Sequence, residues 1–216
     1  MLNFDKRKKD ILSKKDKSFI GEWDEKIKPL CDKINKKKNY YTTSSCAGRI
    51  VLVKDQEKKQ PGVFEAVFHD IINFKSFWKK LSEIASPCSE IVKKVVNNKG
   101  PSKFGVTVNK LGKIPRRGQN VKFKQEPCIL HVACKDFKDA EGLLKKAQLA
   151  GWKRSGIIAS GKRFIVEIGG TDKLEFPLMQ NGKLVVNDSF LKLVVKKSNE
   201  NLKKSWLKID KLKKLI

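Results

Sequence analysis

The chain has 216 residues, enough for one large or two small domains with a real core. Its 49 lysines and arginines against 23 aspartates and glutamates give a formal charge of +26, so a polyanion is the expected partner, with a lysine-rich thermophilic surface as the alternative origin. No apolar run approaches the ~20 residues that cross a bilayer and the segment from Met1 is charged rather than signal-like, so no membrane association is expected and a soluble, cytoplasmic protein is.

Residues 4–20 read as a helix with a sparse apolar stripe of Phe4, Ile11 and Leu12, and residues 24–35 as a second whose stripe is Ile27, Leu30, Cys31 and Ile34. Tyr-Tyr-Thr-Thr-Ser-Ser-Cys-Ala-Gly-Arg-Ile at 40–50 then gathers small hydroxyls, a thiol, a glycine and an arginine. Its β-branched and aromatic residues favour strand, so a bend or bulge is expected between two strand pieces. Gly48 would let backbone amides approach a ligand and Arg49 would clamp an anion; the alternative is a hydroxyl-rich turn whose serines satisfy only backbone. Residues 50–53 and 63–68 form an expected hairpin around Pro61-Gly62, with His69-Asp70 at its exit.

Residues 77–96 read as one or two helices interrupted at Pro87, and 97–125 as a basic loop in which only 104–108 is strand-like. The apolar run 128–134 suits a buried strand, 136–150 an amphipathic helix stopped by Gly151, and 155–159 with 163–168 a hairpin around Ser160-Gly161. Short strands at 173–176 and 183–186 precede a long helix over 188–216, capped by Asp188. The expectation is an α+β fold with a mixed or antiparallel sheet flanked by helices, not doubly wound, with a faint internal duplication. A single domain spans 1–216, with N-terminal helices in 1–38, the basic loop region in 97–125 and the C-terminal helix in 188–216.

His69 and His131 are the only two histidines, each at or in an expected strand; both are candidate general bases or ligands, against a core role. Cys128, His131 and Cys134 are not read as a metal site, because strand alternation turns His131 away from the two thiols. None of the five cysteines forms a C-x-x-C pair, so free thiols are expected, and Cys46 reads as a filler rather than a nucleophile. No G-x-G-x-x-G follows a strand and no phosphate-binding P-loop occurs; Gly169-Gly170-Thr171 has the spacing of neither.

Taken together, the 40–50 segment, His69-Asp70, Glu126-Pro-Cys-Ile-Leu-His-Val132 and Arg154-Ser-Gly-Ile157 resemble the tRNA wybutosine-synthesizing protein 3 family, as do Phe4, Asp16-Lys-Ser18, Gly21, Asp24 and the 193–199 segment. The lysine-rich chain, without a fused β-propeller, is similar to archaeal members. The resemblance implies an S-adenosylmethionine-dependent methyltransferase that N-methylates the tricyclic wyosine-type base 3′ of the anticodon in phenylalanine tRNA. It departs from the family pattern at Ala47, where a serine is usual, so no hydroxyl is required there. On this resemblance Ser44, Ser45 and Arg49 hold the cofactor, with Ser155 and Gly156 as a second wall. His69 or His131 is the base, with Asp70 as accessory. Lys113, Arg116, Arg117 and Lys122, together with the N-terminal lysines, meet tRNA phosphates, and Trp152 or Phe104 packs on the base. A monomer without a metal is expected; the alternative is a non-catalytic tRNA-binding or assembly protein.

Overall fold

The computed structural model describes residues 4–14, 24–55, 62–85, 120–161 and 163–216. In chain order these form α1 (Phe4–Leu12), α2 (Lys28–Asn35), β1 (Tyr40–Cys46), β2 (Arg49–Lys54), β3 (Phe64–Phe68), α3 (Phe74–Ala85), β4 (Val121–Glu126) and β5 (Ile129–Cys134). They continue with α4 (Phe137–Leu149), β6 (Gly156–Ser160), β7 (Phe164–Gly169), β8 (Leu174–Gln180), β9 (Lys183–Leu184) and α5 (Asp188–Leu215). A four-stranded sheet has the order β1-β5-β7-β6 and a five-stranded sheet the order β3-β2-β4-β8-β9. Every strand pairing in both is antiparallel.

The two sheets are joined where their strands run on from one to the other. β1 passes into β2 through Ala47-Gly48, β4 into β5 through Pro127-Cys128, and β7 into β8 through residues 170–173. Gly48 sits at φ +106°, and a Cβ there would lie 3.0–3.1 Å from Leu202 and the Glu126 carbonyl, so only glycine makes this turn without strain. The Gly170 amide donates to the Cys128 carbonyl at 3.0 Å. Buried Asn201 donates to Gln125 at 2.8 Å, and Gln125 donates onward to the Asp172 carbonyl at 3.1 Å, tying α5 across the junction.

One core fills the space between the four-stranded sheet, α2, α4 and the end of α5, with Leu30, Ile34, Leu130, Val132, Leu143, Trp152, Ile209 and Leu212 buried. The other lies between the five-stranded sheet, α3 and the first half of α5. There Phe123 packs edge-on against Phe77 at 6.0 Å and stacks on Phe176 at 5.0 Å, each pair adding about 0.5–1.5 kcal/mol beyond its burial. α1 covers part of the opposite face of the four-stranded sheet, setting Phe4 and Ile11 against Tyr41, Ala133 and Ile165.

The α+β class and the antiparallel alternative hold, in two sheets rather than one. α1 ends at Leu12, short of the expected residue 20, and 15–23 lie outside the described residues. Residues 121–125, assigned to the basic loop, are strand β4: Val121, Phe123 and Gln125 are buried while the intervening lysines face outward. The cap of α5 is Asn187, whose side chain accepts the Phe190 amide at 2.9 Å, not Asp188. The Pro87 interruption and the 104–108 strand lie outside the described residues. No helix among the described residues is long and apolar enough to cross a membrane.

Candidate active site

Strand register places Ser44 opposite His131, His131 opposite Glu167, and Glu167 opposite Gly156, a single row across β1, β5, β7 and β6. Leu130 and Val132 point into the core, so alternation turns His131 to the other face, beside the patch that α1 covers. The bend expected in 44–48 comes at Ala47-Gly48, between β1 and β2, while a separate register shift between Thr42 and Ser44, inside β1, brings Ser44 onto His131. His131 Nε2 lies 2.7 Å from Glu167 Oε2. With Nε2–H donating to the carboxylate, Nδ1 keeps its lone pair and is free to accept a proton. A Cβ on Gly156 would meet nothing within 4 Å, so the space over that end of the row is open. Neighbouring Ser155 is buried with no partner for its hydroxyl.

A second group gathers at the sheet junction. Asp24, its side chain 8% exposed, accepts the Ala47 amide at 2.8 Å and lies 3.6 Å from His69 Nδ1, a buried atom without a hydrogen-bond partner. Cys46 joins them, the three ligand atoms lying within 4.8 Å of one another. Burial pushes the Cys46 thiol up, which keeps it protonated and supports the filler reading over the nucleophile. Arg49 Nε donates to Glu126 at 2.6 Å and its guanidinium lies over Phe64 at 5.2 Å, leaving terminal N–H donors at a partly exposed side chain.

The sequence therefore brings Ser44, His131 and Gly156 together, and Arg49 and His69 to the neighbouring junction. Ser45 turns inward instead, hydrogen-bonding the Cys31 thiol, which burial pushes up to about 12. Asp70 is exposed and caps its own turn, accepting the Ile71 amide at 2.7 Å; the carboxylate facing His69 is Asp24. Glu167 and Glu126 carried no local signal, because each meets its partner through strand register, 36 and 77 residues away.

Over residues 6–216 the chain matches the family described as Methyltransferase TYW3. It belongs to that family. It is 32% identical over 202 residues to a protein of Methanocaldococcus jannaschii named tRNA(Phe) 7-((3-amino-3-carboxypropyl)-4-demethylwyosine(37)-N(4))-methyltransferase, covering 90% of each chain. A Thermococcus sibiricus protein of the same name is 33% identical over 214 residues, covering 97% of this chain and 92% of its own. Among solved structures, the PH1069 protein from Pyrococcus horikoshii OT3 superposes with a TM-score of 0.74 at 26% identity, covering 99% of this chain and 93% of its own.

In this TYW3 chain the expected RNA contacts divide. Lys113, Arg116, Arg117 and Phe104 lie outside the described residues. Lys122 stands on β4 in an ion pair with Asp55 at 2.8 Å rather than on a loop. Trp152 is buried to 1% in the core, so no base can stack on it. The N-terminal lysines do line open space: Lys8 and Lys9 of α1, with Lys38 and Lys135, border a groove of about 800 Å³ beside the covered end of the outer face.

Proposed function

We propose that this TYW3 enzyme transfers a methyl group from S-adenosylmethionine to a ring nitrogen of a demethylwyosine-type base at position 37, 3′ of the anticodon, in phenylalanine tRNA, the substrate in the names of its relatives. The observation that carries the reading is the outward row of Ser44, His131, Glu167 and Gly156, which puts a carboxylate-held imidazole on an open floor.

The donor set fits an amino-acid-bearing cofactor. Arg49 and Glu126 set a cation beside a carboxylate, both partly exposed, matching the opposite charges of an α-amino acid. The unpartnered Ser155 hydroxyl and His69 Nδ1 are buried polar atoms that a bound ligand would satisfy. Arg49, Ser44, Ser155 and the Gly156 backbone would hold it. When bound, it supplies a sulfonium-activated methyl group.

Forming the N–CH3 bond from an N–H acceptor releases one proton. His131 takes that proton at Nδ1 while Glu167 fixes the ring and stabilises the imidazolium, a role worth about 10²–10⁴ in rate. Ser44 orients the acceptor edge, and the open space over Gly156 admits a base turned out of its stack. The enzyme acts as a cytoplasmic monomer, and no step is assigned to a metal.

The test is methyl transfer to phenylalanine tRNA carrying the unmethylated tricyclic base, read by nucleoside mass spectrometry. A gain of one methylene unit on that nucleoside alone is expected. Tight tRNA binding with no transfer at any donor concentration would overturn the reading.

A further inference from the structure

A cavity of about 230 Å³ opens between the turn after α4, the turn between β7 and β8, and α5, lined by Gly151, Trp152, Lys153, Arg154, Gly169, Gly170, Thr171 and Lys208. That is several times the ~30 Å³ of a water molecule, and three cationic residues line it. Lys153 and Arg154 are exposed and make no ion pair among the described residues. Lys208 lays its stem over Gly151, whose φ is +105° and whose Cβ position lies 3.6 Å from the Lys208 chain; its ammonium is 3.3 Å from Asp172. The opposite wall is fixed, since a Cβ on Gly170 would lie 2.7 Å from Pro127, so this backbone packs against the sheet junction. Trp152, 1% exposed, supplies a further observation: its indole N–H is a buried donor with no acceptor. Cations, glycine backbone and an unanswered donor around one cavity describe an anion site.

Its place in the sheet selects the anion. Gly169 is two residues beyond Glu167 on β7, and Arg154 two residues before Gly156, so the cavity opens at the end of the strands that carry the His131 row, about 7 Å on along each strand. We propose that this notch binds one phosphodiester of the tRNA strand, the backbone group next to the base presented to His131. Resting on the reading of tRNA as substrate, the notch anchors the strand while the row addresses the base, the division of labour in which phosphate contacts position and base contacts specify.

The experiment measures the affinity of the full chain for phenylalanine tRNA across a salt series, with donor affinity measured separately by calorimetry. Replacing both exposed cations, Lys153→Gln with Arg154→Gln, should weaken tRNA binding about tenfold at moderate salt and reduce the slope of log Kd against log salt by about 0.7–0.9. Lys153→Arg with Arg154→Lys should restore the slope, and donor affinity should not move. An unchanged slope overturns the proposal, as does lost donor affinity with tRNA binding intact, which would give the notch to the donor's carboxylate. Because binding is read without turnover, an inactive wild type whose slope still falls in the variant would sink the methyltransferase reading and leave the notch standing. An active wild type whose slope survives neutralisation would do the reverse.

Discussion

His131 and His69 meet carboxylates in different ways. His131 has Glu167 at hydrogen-bond distance on an open face, whereas Asp24 lies 3.6 Å from His69, beyond a hydrogen bond, and is already engaged by the Ala47 amide. Only the first pair holds its ring by a hydrogen bond. His131→Ala should lower kcat by about 10²–10⁴, and Glu167→Gln, which keeps the shape but removes the charge, by about 10–100-fold with the KM for tRNA held. Single-turnover methyl transfer decides it: a His131→Ala enzyme that turns over at the wild-type rate moves the proton acceptor to the junction and to His69. The thiol beside His69 offers no competing chemistry, since burial keeps it protonated.

The continuation of β1, β5 and β7 into β2, β4 and β8 places these side chains, and Gly48 is the tightest point of that passage. Gly48→Ala would force φ +106° on an L residue and drive a methyl to 3.0 Å from Leu202, so a loss of about 1–3 kcal/mol is expected, read as a lower urea midpoint with unchanged m-value. A variant as stable as the wild type would mean that the junction yields. The strands meeting here were legible to different degrees. Tyr40, Tyr41, Thr42 and Thr43 announce β1, and the apolar run announces β5, because β-branched and aromatic residues suit a pleated surface. Lys122 and Lys124 hid β4 inside a basic stretch, although alternation of Val121, Phe123 and Gln125 was present; the lysines are outward rungs paired with Asp55 and Glu175. The hairpin neighbours were legible from their turns, β2 with β3 around Pro61-Gly62 and β6 with β7 around Ser160-Gly161, but the β5–β7 pairing between distant segments was not, so His131 was found as a candidate while Glu167 was not. Pairing is a property of register between distant segments, and no local pattern in either strand encodes it.

Helix α5 joins the two cores into one cooperative body. At 28 residues it runs roughly 40 Å, burying Leu191, Val194, Val195 and Leu202 against the five-stranded sheet and Ile209 and Leu212 against the four-stranded one, with Trp206 packed on both. The site straddles the same division, with His131 in one sheet and Arg49 in the other. If the cores were separable, damage to one would leave the catalytic floor intact. Leu202→Ala removes a fully buried side chain where α5 crosses the junction, and should cost about 2–5 kcal/mol. Hydrogen exchange then discriminates: backbone amides of β4 and β5 should lose protection by the same free energy, although Leu202 belongs to the core beneath β4. Loss confined to β4 would show two units docked on a helix; equal loss ties the geometry of the His131 row to packing throughout the chain.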